Sequence, residues 1–265
     1  MIQRILAIAE NTFRETVRDR ILYNLILFAL IMIFSSLALG QLTLGNENKV
    51  ILNLGLAAIS VFGTMIAIFI GAGLVYKEIE KRTVYALLAK PVRRFELVIG
   101  KYFGLVFTLF INLLIMTAGL ELALLYAGCD DPWSYVRVFP AVFMIFLSLC
   151  LVTALALFFS TFSTPALSVL FTLFLWIIGH FGNDIKDFGK LTKSAAGEQL
   201  CSALYYVIPN FSNFQLLGGR YVLQSAGYSQ TANPLALAGV VFYCLVYIVL
   251  VLSIGVLIFR GRDFK

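Results

Sequence analysis

The sequence predicts an all-α membrane protein with six transmembrane helices, an N-terminal interfacial amphipathic helix and short re-entrant helices between spans five and six. Three observations carry this prediction. Hydrophobic residues make up 61% of the 265 residues and charged ones only 13%, about half the share usual in a soluble domain, and a fold of this size has too little interior to hide so much apolar surface from water. The apolar runs reach the roughly 20 residues that a helix needs to cross a bilayer, and the alternating pattern of a membrane barrel is absent. Lysine and arginine gather in particular connections, as they do at the ends of membrane spans.

The elements follow in order along a single domain, 1–265. Residues 1–21 read as the interfacial helix: Ile2, Ile5, Leu6, Ala9, Phe13 and Val17 recur at helical spacing, while Arg4, Glu10, Arg14, Arg18 and Asp19 occupy other faces. This amphipathic start does not have the layout of a cleavable signal peptide. The spans fall at Leu22–Gly40, Val50–Val75, Ile99–Ala127, Val138–Ser160, Pro165–Phe181 and Pro234–Phe259. Asp131-Pro132 and Asn233-Pro234 each pair a capping residue with proline at the first helical position. Ser163-Thr164-Pro165 makes a tight, uncharged turn between spans four and five. The connection over 182–233 begins polar at Asn183-Asp184-Ile185-Lys186-Asp187. It then becomes apolar and aromatic through Leu200, Leu204, Tyr205, Tyr206 and Pro209-Asn210-Phe211. It is too long for a structureless loop, too short in its apolar part to cross, and is expected to dip into the outer leaflet and return.

Charge sets the expected orientation. Arg4, Arg14, Arg18 and Arg20, then Lys77, Lys81, Arg82, Lys90, Arg93, Arg94 and Lys101, then Arg260, Arg262 and Lys265 share one face. The other face carries fewer: Lys49, Arg137, Lys186, Lys190, Lys193 and Arg220. The richer face is expected in the cytoplasm with both termini, in the cytoplasmic (inner) membrane. Of the four cysteines, Cys150 and Cys244 sit in apolar runs as small core residues. Cys129 and Cys201 fall in outer connections, either as two free thiols or as a pair.

Several chemistries lack their residues. No phosphate-binding loop occurs, since Gly100-Lys101 is followed by Tyr102 with no glycine-rich loop before it. The single histidine, His180, is too few for a haem, quinone or zinc site. No GxSxG and no paired intramembrane aspartates are present, and the cysteines have no metal-ligand spacing. No catalytic residue, no metal site, no cofactor and no nucleic-acid partner is expected. Gly63, Gly71, Gly73, Gly100 and Gly104 point to close helix approach, with Gly100-xxx-Gly104 packing tightly at the cytoplasmic end of span three. Glu121 is the acid well inside a span. It lines a substrate path or handles protons, or it lies near enough to the outer interface to reach water.

The densest local signal is the connection over 76–98. It carries both charge signs through Lys77, Glu78, Glu80, Lys81 and Arg82, an apolar stripe of Val84, Leu87 and Leu88, and a break at Pro91. Such a segment lies against lipid headgroups or presents a face to a cytoplasmic partner.

The run Glu80-Lys81-Arg82-Thr83, Leu87-Leu88-Ala89-Lys90-Pro91-Val92-Arg93-Arg94 and Gly100-Lys101 resembles the signature of ABC-2 type transporter permeases. The interfacial helix, the six spans, the Pro-Asn-Phe element and the basic end Phe259-Arg260-Gly261-Arg262 are similar to that family as well. The resemblance implies that the second-to-third connection is a coupling helix docked on a separate ATPase subunit. The resemblance also implies that two permeases and two ATPases form the working unit, and that Mg-ATP is bound by the partner. On the matching positions it assigns coupling to Glu78, Glu80, Arg82, Thr83, Pro91, Arg93 and Arg94. Separately, Glu78 or Glu80 is expected to pair with Arg14 or Arg18 of the interfacial helix. Arg93 and Arg94 also fit anchoring to anionic lipid. The function expected is outward transport by a homodimer or a similar pair, with an accessory extracytoplasmic partner compatible. A non-transporting scaffold that recruits another cytoplasmic partner is the alternative; a redox subunit would need more than one histidine. The substrate is not written in these residues. Phe110, Phe158, Phe159, Phe171 and Trp176 suit a hydrophobic cargo and lipid contact equally.

Overall fold

The computed structural model describes residues 2–41, 47–80, 94–128, 132–182, 208–214 and 234–261, together with Asp184, Asp187, Gln199, Cys201 and Tyr205. Its elements are α1 (Ile2–Val17), α2 (Arg20–Gln41), α3 (Glu47–Glu80), α4 (Arg94–Tyr126), α5 (Pro132–Ser160), α6 (Pro165–His180) and α7 (Pro234–Gly261). Five of these, α2, α3, α4, α5 and α7, are long and apolar enough to cross a membrane; α6 is a shorter apolar helix of 16 residues. That length gives about 24 Å at the helical rise, short of the roughly 30 Å hydrocarbon core. The chain is an all-α integral membrane protein.

The helices start where the local chemistry predicts. Prolines open α5, α6 and α7, because the first turn of a helix needs no N–H there. Ahead of α6, Thr164 is extended (φ −70°, ψ 158°) and makes no side-chain cap. Ser163 closes the turn instead: its Oγ donates to the Phe159 carbonyl at 2.8 Å and lies 2.7 Å from Ser168 Oγ. Helices run past the expected spans at several ends. α4 begins at Arg94, ahead of Ile99, and α3 continues beyond Val75 to Glu80. Backbone hydrogen bonding carries a helix on into polar sequence after its apolar run ends.

The core lies where α3, α4 and α5 meet. α5 runs through the centre with Leu149, Leu151, Val152, Ala154, Ala156 and Leu157 all buried. Without a hydrophobic drive between helices in lipid, close packing of small residues has to hold them. A Cβ at Gly71 would sit 2.8 Å from the Ala156 Cβ, so α3 and α5 touch nearly backbone to backbone. Side-chain bonds to main-chain carbonyls add to this. Ser160 Oγ donates to the Ala72 carbonyl at 2.8 Å, and Tyr102 Oη to that of Cys150 at 3.3 Å. Cys150 and Cys244 are buried, as expected. Cys201 is a free thiol, and Cys129 lies outside the described residues.

At the opposite end of α6, the Pro-Asn-Phe element is non-helical and buried against the bundle. Phe211 N–H donates to the Gly179 carbonyl at 2.9 Å, and Asn210 N–H donates to the Tyr243 hydroxyl at 3.1 Å. Such backbone is tolerable at membrane depth only when protein covers it. Most of 182–233, expected to hold the re-entrant helices, lies outside the described residues.

Candidate functional site

The sequence singles out the segment joining α3 to α4. Residues 81–93 lie outside the described residues, and with them Arg82, Thr83, Pro91 and Arg93. Glu78 and Glu80 fall in the last turn of α3, and Arg94 is the first residue of α4. The segment therefore enters and leaves through two helices that each run deep into the bundle: α3 has 34 residues and α4 has 33, about 50 Å each.

Just inside that segment, the first turns of α4 hold three other helices. Lys101 was expected among the surface cations. The structure corrects this: its side chain is 1% exposed and Nζ donates to the Leu74 carbonyl of α3 at 2.7 Å. Burying an ammonium is costly unless it is hydrogen-bonded, so this bond fixes the spacing of α3 and α4 at their shared end. Glu96, one turn earlier, is also buried. An acid in the first turn complements the helix dipole.

Gly100 and Gly104 form the seat of α1. A Cβ at Gly100 would lie 2.7 Å from Ile8 Cγ2, and one at Gly104 would lie 2.6 Å from the Ala9 carbonyl oxygen. Phe13 meets Phe107 edge to face, with ring centroids 5.1 Å apart. These contacts succeed one another in the same order on both helices, so α1 runs beside α4 in the same direction. The interfacial helix is thus held by protein as well as by its apolar flank. The face it buries is centred on Thr12 and Thr16 and takes in Ala9 and Phe13 of the apolar stripe that predicted it. Ile2 and Leu6 of that stripe remain exposed. Arg14 pairs with Glu10 on the exposed side of α1. The Glu78 and Glu80 side chains, the expected partners of Arg14 or Arg18, are outside what the structure describes.

The remaining candidates are dispersed. Glu121 stands near the far end of α4, partly exposed, with Oε1 buried and without a hydrogen-bond partner among the described residues. Asn112 Nδ2, farther down the same helix, is in the same condition. His180 has a structural role: Nδ1 lies 2.7 Å from the Trp176 carbonyl and the ring stacks on Phe211. Phe158, Phe159 and Phe171 form an aromatic cluster around the α5–α6 turn, and Phe110 packs on Phe146. Among the described residues no group of histidine, cysteine, aspartate and glutamate is placed to hold a metal.

Sequence reasoning missed the roles of Lys101, Thr12 and Thr16. The Gly100-Lys101 pair was visible as part of the motif, but nothing in it distinguishes a solvated lysine from a buried one. The threonines carried no signal on a helix read by its apolar stripe.

The apolar helices and the packed block of α1, α3 and α4 define a helical membrane protein. The profile of the ABC-2 family transporter proteins matches residues 6–264, nearly the whole chain, and the protein belongs to that family. It is a permease component of an ABC transporter, a transmembrane part that works with an ABC ATPase subunit. No curated protein matches the chain.

Proposed function

We propose that this chain couples ATP hydrolysis by a separate ATPase subunit to outward movement of a substrate, as one of two permease copies beside two ATPase copies in the cytoplasmic membrane. In this reading both termini, the 81–93 connection and the α5–α6 turn face the cytoplasm, and α6 completes the sixth crossing. Mg-ATP binds the ATPase; this chain contributes no phosphate loop and needs no cofactor of its own.

The observation that supports the reading is the block formed by α1, α3 and α4 directly inside the charged connection, pinned by the Lys101–Leu74 bond and the Gly100 and Gly104 seat. A push delivered through Glu78, Glu80, Arg82, Thr83, Pro91, Arg93 and Arg94 reaches two long helices and α1 together. It cannot be absorbed by sliding of one helix past another, because the seat has no free space. The far half of α4, with Glu121, would then change its exposure to the substrate path.

The test is reconstitution of the chain with its ATPase in vesicles. ATPase rate and export are measured for the wild type and for Arg82→Glu. A rate that depends on the chain and falls in the variant supports coupling. An ATPase that neither binds the chain nor responds to it leaves a scaffold role.

A further inference from the structure

Cys150 of α5 and Cys244 of α7 meet on the floor of an apolar cleft of about 710 Å³ that opens between α4 and α7. Cys150 is 6% exposed and Cys244 is fully covered. Cys244 Sγ donates to the Leu147 carbonyl at 3.4 Å. Leu147 stands one turn before Cys150, and residues so spaced share a helix face. α7 therefore presents Cys244 to the turn of α5 that carries Cys150, and the two thiols are close enough to interact electrostatically. Tyr102 closes the α4 side, with Oη donating to the Cys150 carbonyl at 3.3 Å. The wall formed by α7 is open to the surroundings, since Leu245, Val249 and Leu257 line the cleft and are all exposed. The coupling mechanism uses neither thiol.

We infer that Cys150 and Cys244 are a redox pair, joined into a cross-helix disulfide when a lipid hydroperoxide enters the cleft from the bilayer. A buried thiol is inert to reagents in water, so the oxidant arrives through the apolar phase. Cys150, the more exposed thiol, reacts first. Its sulfur takes the distal peroxide oxygen, the O–O bond breaks, and the thiol proton passes to the departing oxygen. The products are a sulfenic acid at Cys150 and a lipid alcohol. Cys244 then attacks the Cys150 sulfur; the S–S bond forms, and the hydroxyl leaves with the Cys244 proton as water. The disulfide is neutral and suits an apolar floor. Two thiolates around a monovalent soft metal ion would instead bury a net negative charge. The bond ties α7 to the centre of the bundle and fixes the width of the cleft. The inference rests on the bundle spanning a membrane and does not require the ATPase.

The full chain is reconstituted in vesicles of dilinoleoyl phosphatidylcholine containing either its hydroperoxide or the corresponding alcohol. Remaining thiols are blocked with N-ethylmaleimide under denaturing conditions, and the non-reduced peptides are weighed. The expected result is a peptide linked through Cys150 and Cys244, roughly tenfold more abundant with the hydroperoxide and lost on treatment with dithiothreitol. Cys129→Ser with Cys201→Ser should leave the link unchanged. Cys244→Ser should remove it and leave Cys150 as a sulfenic acid that dimedone traps, whereas Cys150→Ser should leave Cys244 a thiol. The wild-type measurement decides the pairing without any variant. Both thiols fully blocked after hydroperoxide treatment, or linked only to other cysteines, would overturn the pair. Equal linkage by hydrogen peroxide added to the water would overturn the route through the bilayer.

Discussion

The two ends of the bundle are joined in different ways. Near the chain ends, α1, α3, α4 and α5 meet through glycine seats and side-chain bonds to main-chain carbonyls, with Lys101 and Ser160 both spent on α3. At the other end, a short non-helical element is tucked between α6 and α7, held by Phe211 on Gly179 and Asn210 on Tyr243. There too, α4 carries Glu121 with a carboxylate oxygen that lacks a partner among the described residues. Backbone-to-backbone seats resist deformation because no rotamer can relieve them. The far end has one such seat, Gly179 against the Pro209 carbonyl, but the Glu121 oxygen without a partner among the described residues leaves room there for rearrangement. In the proposed reading the near end transmits a displacement and Glu121 marks where the far end responds.

The glycines give the largest expected contrast. At Gly104 an added side chain meets the Ala9 carbonyl, whereas at Gly119 it meets only the end of Leu30. Gly104→Leu should displace α1 and lower export at least tenfold, with a stability loss of about 1–3 kcal/mol, read by thermal unfolding. Gly119→Ala should change both little, since Leu30 can rotate away. Equal effects at the two positions would remove the contrast.

Lys101→Met tests whether the near end transmits or merely stabilises. The change leaves the buried Leu74 carbonyl without its charged donor, so unfolding should shift by about 1–3 kcal/mol. Export per ATP hydrolysed should also fall severalfold, because α3 and α4 lose their fixed spacing. A variant that unfolds readily but stays coupled would assign Lys101 to stability alone.

Glu121→Gln probes the responding end. Export should fall a few-fold while the ATPase still co-purifies with the chain; wild-type export would place the carboxylate at the interface with no part in transport. The smallest effect is expected at Asn210→Ala. That change removes the side-chain acceptor for the Ser212 N–H and hydroxyl and should cost about 1 kcal/mol, seen as faster hydrogen exchange around Phe211.

The same contrast explains what could be read from the residues. Every long apolar run became a helix close to the expected bounds, because bilayer thickness leaves little freedom. The prolines at 132, 165 and 234 each open a helix. Gly100-xxx-Gly104 was legible as a packing face, but its occupant was not. α1 docks through Thr12 and Thr16 together with Ile8, Ala9 and Phe13, and the stripe alone does not tell the flank that meets α4 from the one that stays exposed at Ile2 and Leu6. Lys101 reads as a surface cation in any linear tally of charge. Its burial depends on Leu74, a residue 27 positions away whose carbonyl it reaches only after α3 and α4 have packed. Glu121 was visible as an intramembrane acid, whereas Asn112, whose Nδ2 also lacks a partner among the described residues, was hidden among apolar neighbours.

The central claim is that a nucleotide-driven partner pushes on the 81–93 connection. A photo-activated crosslinker at Leu87, in membranes containing the chain and its ATPase, tests this most directly. The account predicts an adduct with the ATPase whose yield changes when ATP is added; adducts with lipid alone, indifferent to ATP, would contradict it.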